Sequence, residues 1–134
     1  ENPHILTLSP PLNLTPRWFR NHTAYTISKY AMSMTVLGLA EEFKEQGVAV
    51  NALWPKTVIA TDALAMLGGL VDPQNCRTPE VVADAACEIL KRSSRSCSGH
   101  FYIDEEVLRD AGVSDFSAYS VAPGQPLYPD LFLD

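Results

Sequence analysis

The chain has 134 residues, of which 46% are hydrophobic and 19% are charged. This composition is typical of a globular piece with one hydrophobic core. The net charge is −6 and the basic residues do not cluster, which argues against a nucleic acid as the partner. No apolar run approaches the roughly 20 residues that a membrane-spanning helix requires, so we expect no membrane span.

Strand and helix patterns alternate along the chain. We predict strands over residues 4–9, 48–54 and 99–104 and helices over residues 24–46 and 79–92, with irregular segments at 10–22 and 55–78 and a tail at the end. The first two strands are continuous apolar runs, as expected for parallel strands that are buried on both faces. Gly47 stands where a left-handed residue often ends a helix. The sequence therefore predicts an α/β fold with a parallel sheet.

Tyr25 and Lys29 stand four residues apart at the start of the first predicted helix. Side chains at this spacing share one helix face, about 5–6 Å apart at Cβ. A tyrosine hydroxyl has a pKa near ~10, and an adjacent ammonium is expected to lower that pKa because it stabilises the phenolate. The pair can therefore act as a general acid and base, although the same spacing also occurs between ordinary surface residues of a helix.

Longer runs surround this motif. They are Ile-Leu-Thr-Leu-Ser-Pro-Pro-Leu-Asn-Leu (5–14), Ala-Tyr-Thr-Ile-Ser-Lys-Tyr (24–30), Ala-Val-Asn-Ala-Leu-Trp-Pro-Lys-Thr (49–57) and the last residues, 126–134. With Tyr25 and Lys29 followed by Asn51 and Pro55, the chain resembles the C-terminal half of a short-chain dehydrogenase/reductase. The resemblance implies a Rossmann-like doubly wound parallel sheet, present here as a fragment. Residues 1–121 would form the C-terminal half of the domain, and residues 122–134 a Pro-rich tail that leads to a linker.

The resemblance also implies roles for individual residues. Tyr25 would be the catalytic acid and base, and Lys29 would lower its pKa and hydrogen-bond the nicotinamide ribose. The segment after the second strand would line the nicotinamide and its carboxamide, through Pro55, Lys56, Thr57, Val58 and Thr61. The cofactor would be NADP or NAD. The sequence lacks the glycine-rich pyrophosphate turn that belongs to the half of such a fold in which this choice is made.

Two positions depart from the family pattern. Where the family usually has a serine at the end of the first strand, this chain has Pro10, which carries neither a hydroxyl nor an amide proton. Ser9 is the candidate to polarise a substrate carbonyl instead. Lys56 replaces the usual glycine after Pro55 and adds a positive charge that suits a substrate carboxylate or phosphate.

These departures leave two classes of function open. The first is an NAD(P)-dependent oxidoreductase that moves a hydride between nicotinamide and an alcohol or ketone of a small, lipid-like substrate, with Tyr25 as the proton donor and acceptor. The second is a catalytically degraded dehydrogenase-fold domain that serves lipid metabolism as a binding or scaffold module.

The segment 56–78 has the composition of a lid over a site. Leu64, Met66 and Leu67 require an apolar partner, and the pair Gly68 and Gly69 could act as a hinge. The alternative is a plain surface connection, since loops commonly vary and move without covering a site.

Residues that commonly bind metals show no metal-site spacing. The cysteines are Cys76, Cys87 and Cys97, and the histidines are His4, His22 and His100. We therefore predict no metal site. The odd number of cysteines fits free thiols in a reducing, intracellular compartment, and the resemblance implies a peroxisome or a mitochondrion.

In the family that the chain resembles, the helix that starts at the catalytic tyrosine commonly packs across a two-fold axis. Met32, Thr35, Val36 and Leu39 have the spacing of a second apolar stripe on that helix. We therefore expect a homo-oligomer. The alternative is that the stripe packs on a preceding helix of the same chain.

Overall fold

Three parallel strands form the central sheet of the computed structural model, which describes residues 1–66 and 69–134. The strands are β1 (His4–Leu8), β2 (Ala49–Trp54) and β3 (Phe101–Ile103). They lie side by side in the order β1–β2–β3, and both pairs are parallel. The predicted α/β architecture with a parallel sheet is therefore confirmed.

Helices cover both faces of the central strand. They are α1 (Thr23–Glu42), α2 (Asp62–Ala65), α3 (Glu80–Lys91) and α4 (Asp104–Asp110). Every residue of β2 is buried, and its side chains point alternately to opposite faces. Val50 and Ala52 pack against Val36 of α1, whereas Leu53 packs against residues of α3 and α4. This two-sided packing is the doubly wound arrangement that the resemblance predicts.

α1 ends at Glu42 rather than at residue 46, where the sequence predicted its end. Gly47 follows with a φ of 70°, the left-handed conformation predicted for it. A Cβ at this position would lie 2.9 Å from the guanidinium of Arg95, so a larger residue would be both strained and crowded. No helix in the described part of the chain, α1 included, combines the length and the apolar character needed to cross a membrane.

α4 is a helix that the sequence analysis did not predict. It begins directly after β3, where a tail was expected. Its first turn is acidic, and Glu105 pairs with Arg109 one turn later (Oε1–Nη2 2.9 Å). Both features favour a helix. Val107 and Leu108 are buried in the same cluster as α3, and this packing supports a helix too short to be stable alone.

The predicted lid falls partly outside the described residues, because Leu67 and Gly68 lie there. Within the described part, Leu64 is 9% exposed and Met66 is 86% exposed. Only Leu64 of these two has the apolar cover that the lid interpretation requires. The lid stays a prediction.

The Pro-rich tail returns to the domain. Thr57 and Pro129 form an antiparallel bridge, and the ring of Phe132 is buried. Phe132 is therefore part of the core of the domain. The predicted boundary at residue 121 and the linker after the tail stay predictions.

The predicted second stripe on α1 is wrong at Val36. Val36 is 1% exposed and packs against Val50 and Ala52 of β2, so it is not available to another subunit. Leu39 packs against the same cluster. The large apolar residues of α1 with the greatest exposure are Ile27, Met34 and Leu37.

We expect Val36→Ala to lower the free energy of unfolding of the intact protein by about 1–3 kcal/mol, because it removes two buried methyl groups. Leu37→Ala is the control, since Leu37 is the next residue on the same helix and is 47% exposed. Its effect should stay within about 0.5 kcal/mol. Urea denaturation measures both values, and equal losses would contradict the assigned faces of α1.

Candidate active site

Tyr25 lies in the first turn of α1, beside the ring of Phe132 from the tail. The two rings stack with centroids 6.3 Å apart and planes inclined by 19°. Phe132 also contacts the rings of Trp18, Tyr30 and Trp54. Tyr25 nevertheless remains 43% exposed. Its ring is therefore fixed on one side and open to a ligand on another.

Lys29 lies one helical turn after Tyr25, as the spacing predicts. Its Nζ donates a hydrogen bond to the carbonyl oxygen of Leu8 at the end of β1 (3.1 Å). The same nitrogen lies 5.5 Å from the centroid of the Trp54 ring at the end of β2. The ammonium is thus held at the carboxyl ends of two parallel strands, where ligands commonly bind in α/β sheets.

The pKa of Tyr25 moves opposite to the sequence-based expectation. Burial, together with the negative charge of Asp130, raises the pKa of Tyr25 above its ordinary value. Burial has this effect because a partly buried phenolate would be poorly solvated. Tyr25 is therefore a protonated hydroxyl at neutral pH, and it can donate its proton.

Asp130 is a charged residue of this region that sequence reasoning missed. Burial raises the pKa of Asp130 to about 6, against the lowering effect of a hydrogen bond from the Leu131 amide (2.6 Å). The charge of Asp104 raises this pKa further, and the ammonium of Lys29 lowers it. The only signal in the sequence was a single carboxylate within the otherwise apolar run Tyr-Pro-Asp-Leu-Phe-Leu (128–133).

The segment after β2 is held by hydrogen bonds to two other parts of the chain. The amide of Lys56 donates to Asp104 Oδ1 (2.8 Å), and the carbonyl of Lys56 accepts from the amide of Asp130 (3.1 Å). The amide of Val58 donates to the carbonyl of Tyr128 (3.0 Å). The tail therefore pairs with the segment that was predicted to line a nicotinamide.

Asp104 anchors the start of this segment through the amide of Lys56 and precedes a residue of a mostly buried ion pair. Burial raises the pKa of Asp104, which is fully buried. Arg77 is also buried and pairs with Glu105 (Nη1–Oε2 2.7 Å). Burial would raise the pKa of Glu105, but hydrogen bonds from Arg77 and Arg109 outweigh it and lower this pKa. Removing one member would leave an uncompensated buried charge, which is strongly destabilising.

Two buried hydroxyl groups follow the ends of β1 and β2. Ser9 and Thr57 are 0% and 8% exposed, and neither hydroxyl has a hydrogen-bond partner among the described residues. The carbonyl of the neighbouring Pro10 accepts a hydrogen bond from Ser33 Oγ (2.6 Å), which fixes this turn on α1. A hydroxyl both donates and accepts, but as placed both hydroxyls are closed to solvent, so a contact with a ligand would require this turn to move.

The structure brings Tyr25 and Lys29 together on one face of α1. Of the other predicted ligand residues, Pro55 is half-buried, and Lys56 and Thr61 are exposed. The predicted roles of Ser9 and of the segment after β2 stay predictions. Within residues 1–66 and 69–134, no three His, Cys, Asp or Glu side chains are grouped as metal ligands.

Comparisons with known proteins agree with this geometry. No family model matches the chain. The chain is 60% identical over 134 residues to hydroxysteroid dehydrogenase-like protein 2 of Danio rerio and 55% identical over 131 residues to that of Homo sapiens. It superimposes with a TM-score of 0.94 on the crystal structure of a protein assigned to the dehydrogenases from Xanthomonas campestris, at 57% identity. A short-chain dehydrogenase from Mycobacterium thermoresistibile gives a TM-score of 0.89 at 46% identity.

The chain belongs to the short-chain dehydrogenase/reductase family. The matches cover 100% and 98% of this chain but 32% and 31% of the two curated relatives. They cover 99% and 100% of this chain and 48% of each solved structure. The chain therefore spans about a third of the length of these curated relatives and about half of these dehydrogenase structures. The predicted family is confirmed, and so is its Rossmann-like fold.

We expect Phe132→Ala to lower the free energy of unfolding of the intact protein by about 3–5 kcal/mol, as for other buried aromatic rings. Tyr128→Ala is a matched control, because it removes an aromatic ring from the same tail where the side chain is 46% exposed. Chemical denaturation of both variants measures the difference. A loss for Phe132→Ala no larger than for the control would show that the tail does not dock as described.

Proposed function

We propose that this chain carries the acid–base centre of an NAD(P)-dependent oxidoreductase that interconverts an alcohol and a ketone in a lipid-like substrate. The observation that carries this proposal is the placement of Tyr25. Its hydroxyl is protonated at neutral pH and lies one helical turn from Lys29, whose ammonium sits at the carboxyl edge of the sheet. The relatives named hydroxysteroid dehydrogenase-like protein 2 support a lipid-like alcohol as the substrate class.

The residues of the chain account for the proton transfer. A nicotinamide, when bound, supplies or accepts the hydride at the substrate carbon. In carbonyl reduction, Tyr25 gives its hydroxyl proton to the carbonyl oxygen, is left as a phenolate, and regains a proton from solvent. Lys29 stabilises that phenolate by its charge. In alcohol oxidation, each proton moves in the opposite direction.

The cofactor in this proposal is NADP or NAD. Lys29 would hold the nicotinamide ribose, and the carboxamide would lie beside the segment that contains Pro55, Thr57 and Val58. The exposed ammonium of Lys56 suits a carboxylate or phosphate on the substrate. We further propose that the intact protein is a homo-oligomer and works in a peroxisome or a mitochondrion.

A degraded dehydrogenase-fold domain that binds lipid without turning it over is the second candidate. The observation that favours it is Pro10, which stands where the family usually has a serine and whose carbonyl is engaged by Ser33. A panel of hydroxy-lipids and acyl-CoA derivatives, assayed with the intact protein through nicotinamide absorbance, separates the two. Binding without any absorbance change would favour the degraded domain.

We expect Tyr25→Phe to reduce turnover by roughly 10²–10⁴-fold, the usual contribution of general acid–base catalysis, while dinucleotide affinity is retained. The aromatic ring stays in place and only the hydroxyl is lost. Tyr128→Phe is the control, because Tyr128 has a similar exposure of 46% and lies on the tail. Turnover by Tyr25→Phe at the rate of the unmodified protein would exclude the assigned mechanism.

Lys29→Met should weaken dinucleotide binding and move the pH profile of alcohol oxidation to higher pH. The variant removes a cation that favours the Tyr25 phenolate, so the hydroxyl then ionises at a higher pH. Lys44→Met, which removes a side chain that is 67% exposed on the turn after α1, serves as the control. A pH profile that does not move, with Tyr25 shown to be essential, would remove Lys29 from this role.

A further inference from the structure

A histidine stands one helical turn before Tyr25. His22 is the N-cap residue of α1, and its carbonyl accepts a hydrogen bond from the amide of Thr26 (3.0 Å). The ring of His22 lies edge-on to the ring of Phe132, with centroids 6.3 Å apart and planes inclined by 84°. Phe132 is the same ring that stacks on Tyr25. The imidazole of His22 is therefore packed at the candidate active site.

The hydroxyl of Thr26 determines which nitrogen of His22 carries the proton. Thr26 is fully buried, and its Oγ1 donates to the carbonyl of Trp18 (2.5 Å), since a carbonyl can only accept. The one hydroxyl proton is thereby used, so Nδ1 of His22 donates to Thr26 Oγ1 (3.0 Å). In the neutral imidazole, Nε2 is then an acceptor. His22 is half-buried, and no residue in the described part of the chain donates to its Nε2 or encloses that atom.

Three polar side chains follow one another along the start of α1, namely His22, Tyr25 and Lys29. Their spacings of three and four residues place them on one side of the helix. With a rise of 1.5 Å per residue, His22 lies about 4.5 Å before Tyr25 along the helix axis, and Lys29 about 6 Å after it. In the proposed function Lys29 holds the nicotinamide ribose. His22 therefore lies on the side of Tyr25 that faces away from the cofactor, where the rest of a substrate extends.

We propose that His22 is a specificity-determining residue of this site: its Nε2 accepts a hydrogen bond from a second hydroxyl group of the substrate, away from the carbon that exchanges the hydride. This inference rests on the proposed function. Because Nε2 is an acceptor, it favours a second hydroxyl and gains nothing from a second carbonyl, which has no proton to donate. Proton transfer stays with Tyr25.

Two substitutions separate this role from a structural one. His22→Phe keeps a ring against Phe132 and removes both nitrogens, whereas His22→Gln retains an acceptor oxygen on a side chain of similar length. His100→Phe is the matched control, because His100 is exposed before β3 and its ring packs on Tyr102. A structural role of His22 would change activity with all substrates alike. The proposed role changes the ratio of activities between substrates.

The test uses the intact protein, the nicotinamide absorbance assay, and straight-chain secondary alcohols with their matching diols. The second hydroxyl of the diols stands at different distances along the chain. We expect at least one diol to have a kcat/KM about 2–10-fold above that of the matching alcohol, the contribution of one hydrogen bond. The difference should lie in KM, because the hydrogen bond is made equally in the bound substrate and in the transition state.

This preference for a diol should vanish in His22→Phe, persist in part in His22→Gln, and stay unchanged in His100→Phe. An equal preference in His22→Phe and in the unmodified protein would overturn the proposal. Oxidation of the alcohols with no preference for any diol would overturn it as well.

NMR of ring-labelled histidine supplies a second readout that does not require turnover. We expect neutral His22 to carry its proton on Nδ1, and the Nε2 resonance to shift when the diols are added. Thr26→Val removes the hydroxyl and should release this tautomer, whereas Thr26→Ser should retain it. A proton on Nε2 of the neutral ring would overturn the proposal. If the unmodified protein oxidises no alcohol, the proposed function fails, and a Nε2 resonance that responds to no diol then excludes the role of His22 as well.

Discussion

The burial of Phe132 is the interaction on which the candidate site depends. Phe132 has a φ of 72°, a left-handed conformation that costs a residue with a side chain about 1–2 kcal/mol. Burying a phenylalanine ring contributes about 1.5–3 kcal/mol, and aromatic pairs add roughly 0.5–1.5 kcal/mol beyond the buried area. Because Phe132 contacts several rings, packing outweighs the strain, and the turn of the tail is favourable.

Docking of this one ring links parts of the chain that lie far apart in sequence. It brings the tail against α1, and the backbone of the tail then pairs with the segment after β2 at Thr57. Asp104 holds the same segment from the start of α4 through the amide of Lys56. Tyr25, the segment expected to line a nicotinamide and the acidic groups are thereby positioned together. The proton chemistry proposed for Tyr25 follows from that arrangement.

Local patterns in the sequence were sufficient to predict the features that depend on interactions between residues close together in the chain. The alternation of apolar strand patterns with helix patterns predicted the parallel sheet. The four-residue spacing predicted that Tyr25 and Lys29 share a face of the helix. The faces of α1 were harder, because the helix is apolar almost all round. Val36 and Leu37 are adjacent and both aliphatic, yet one packs on β2 and the other is exposed. Only the position of the sheet distinguishes them.

The features of the candidate site that the sequence did not reveal depend on contacts between residues that are distant in the chain. The Tyr25–Lys29 pair alone predicts a lowered pKa for the phenol, but burial and Asp130 raise it, and Asp130 is more than a hundred positions away. α4 was missed because its apolar residues become a helix face only when α3 covers them. A Pro-rich tail is usually read as a spacer, and its docking depends on a cluster of aromatic rings that no short motif encodes.

Hydrogen exchange in the intact protein tests most directly whether the tail is part of the site. The amide of Asp130 donates to Lys56, the amide of Val58 donates to Tyr128, and the indole N–H of Trp54 donates to Leu131. Because all three hydrogen bonds join the tail to the segment around the end of β2, they should exchange slowly and lose protection together when Phe132→Ala is introduced. Exchange of these groups at the rate of an unstructured peptide in the unmodified protein would contradict a docked tail.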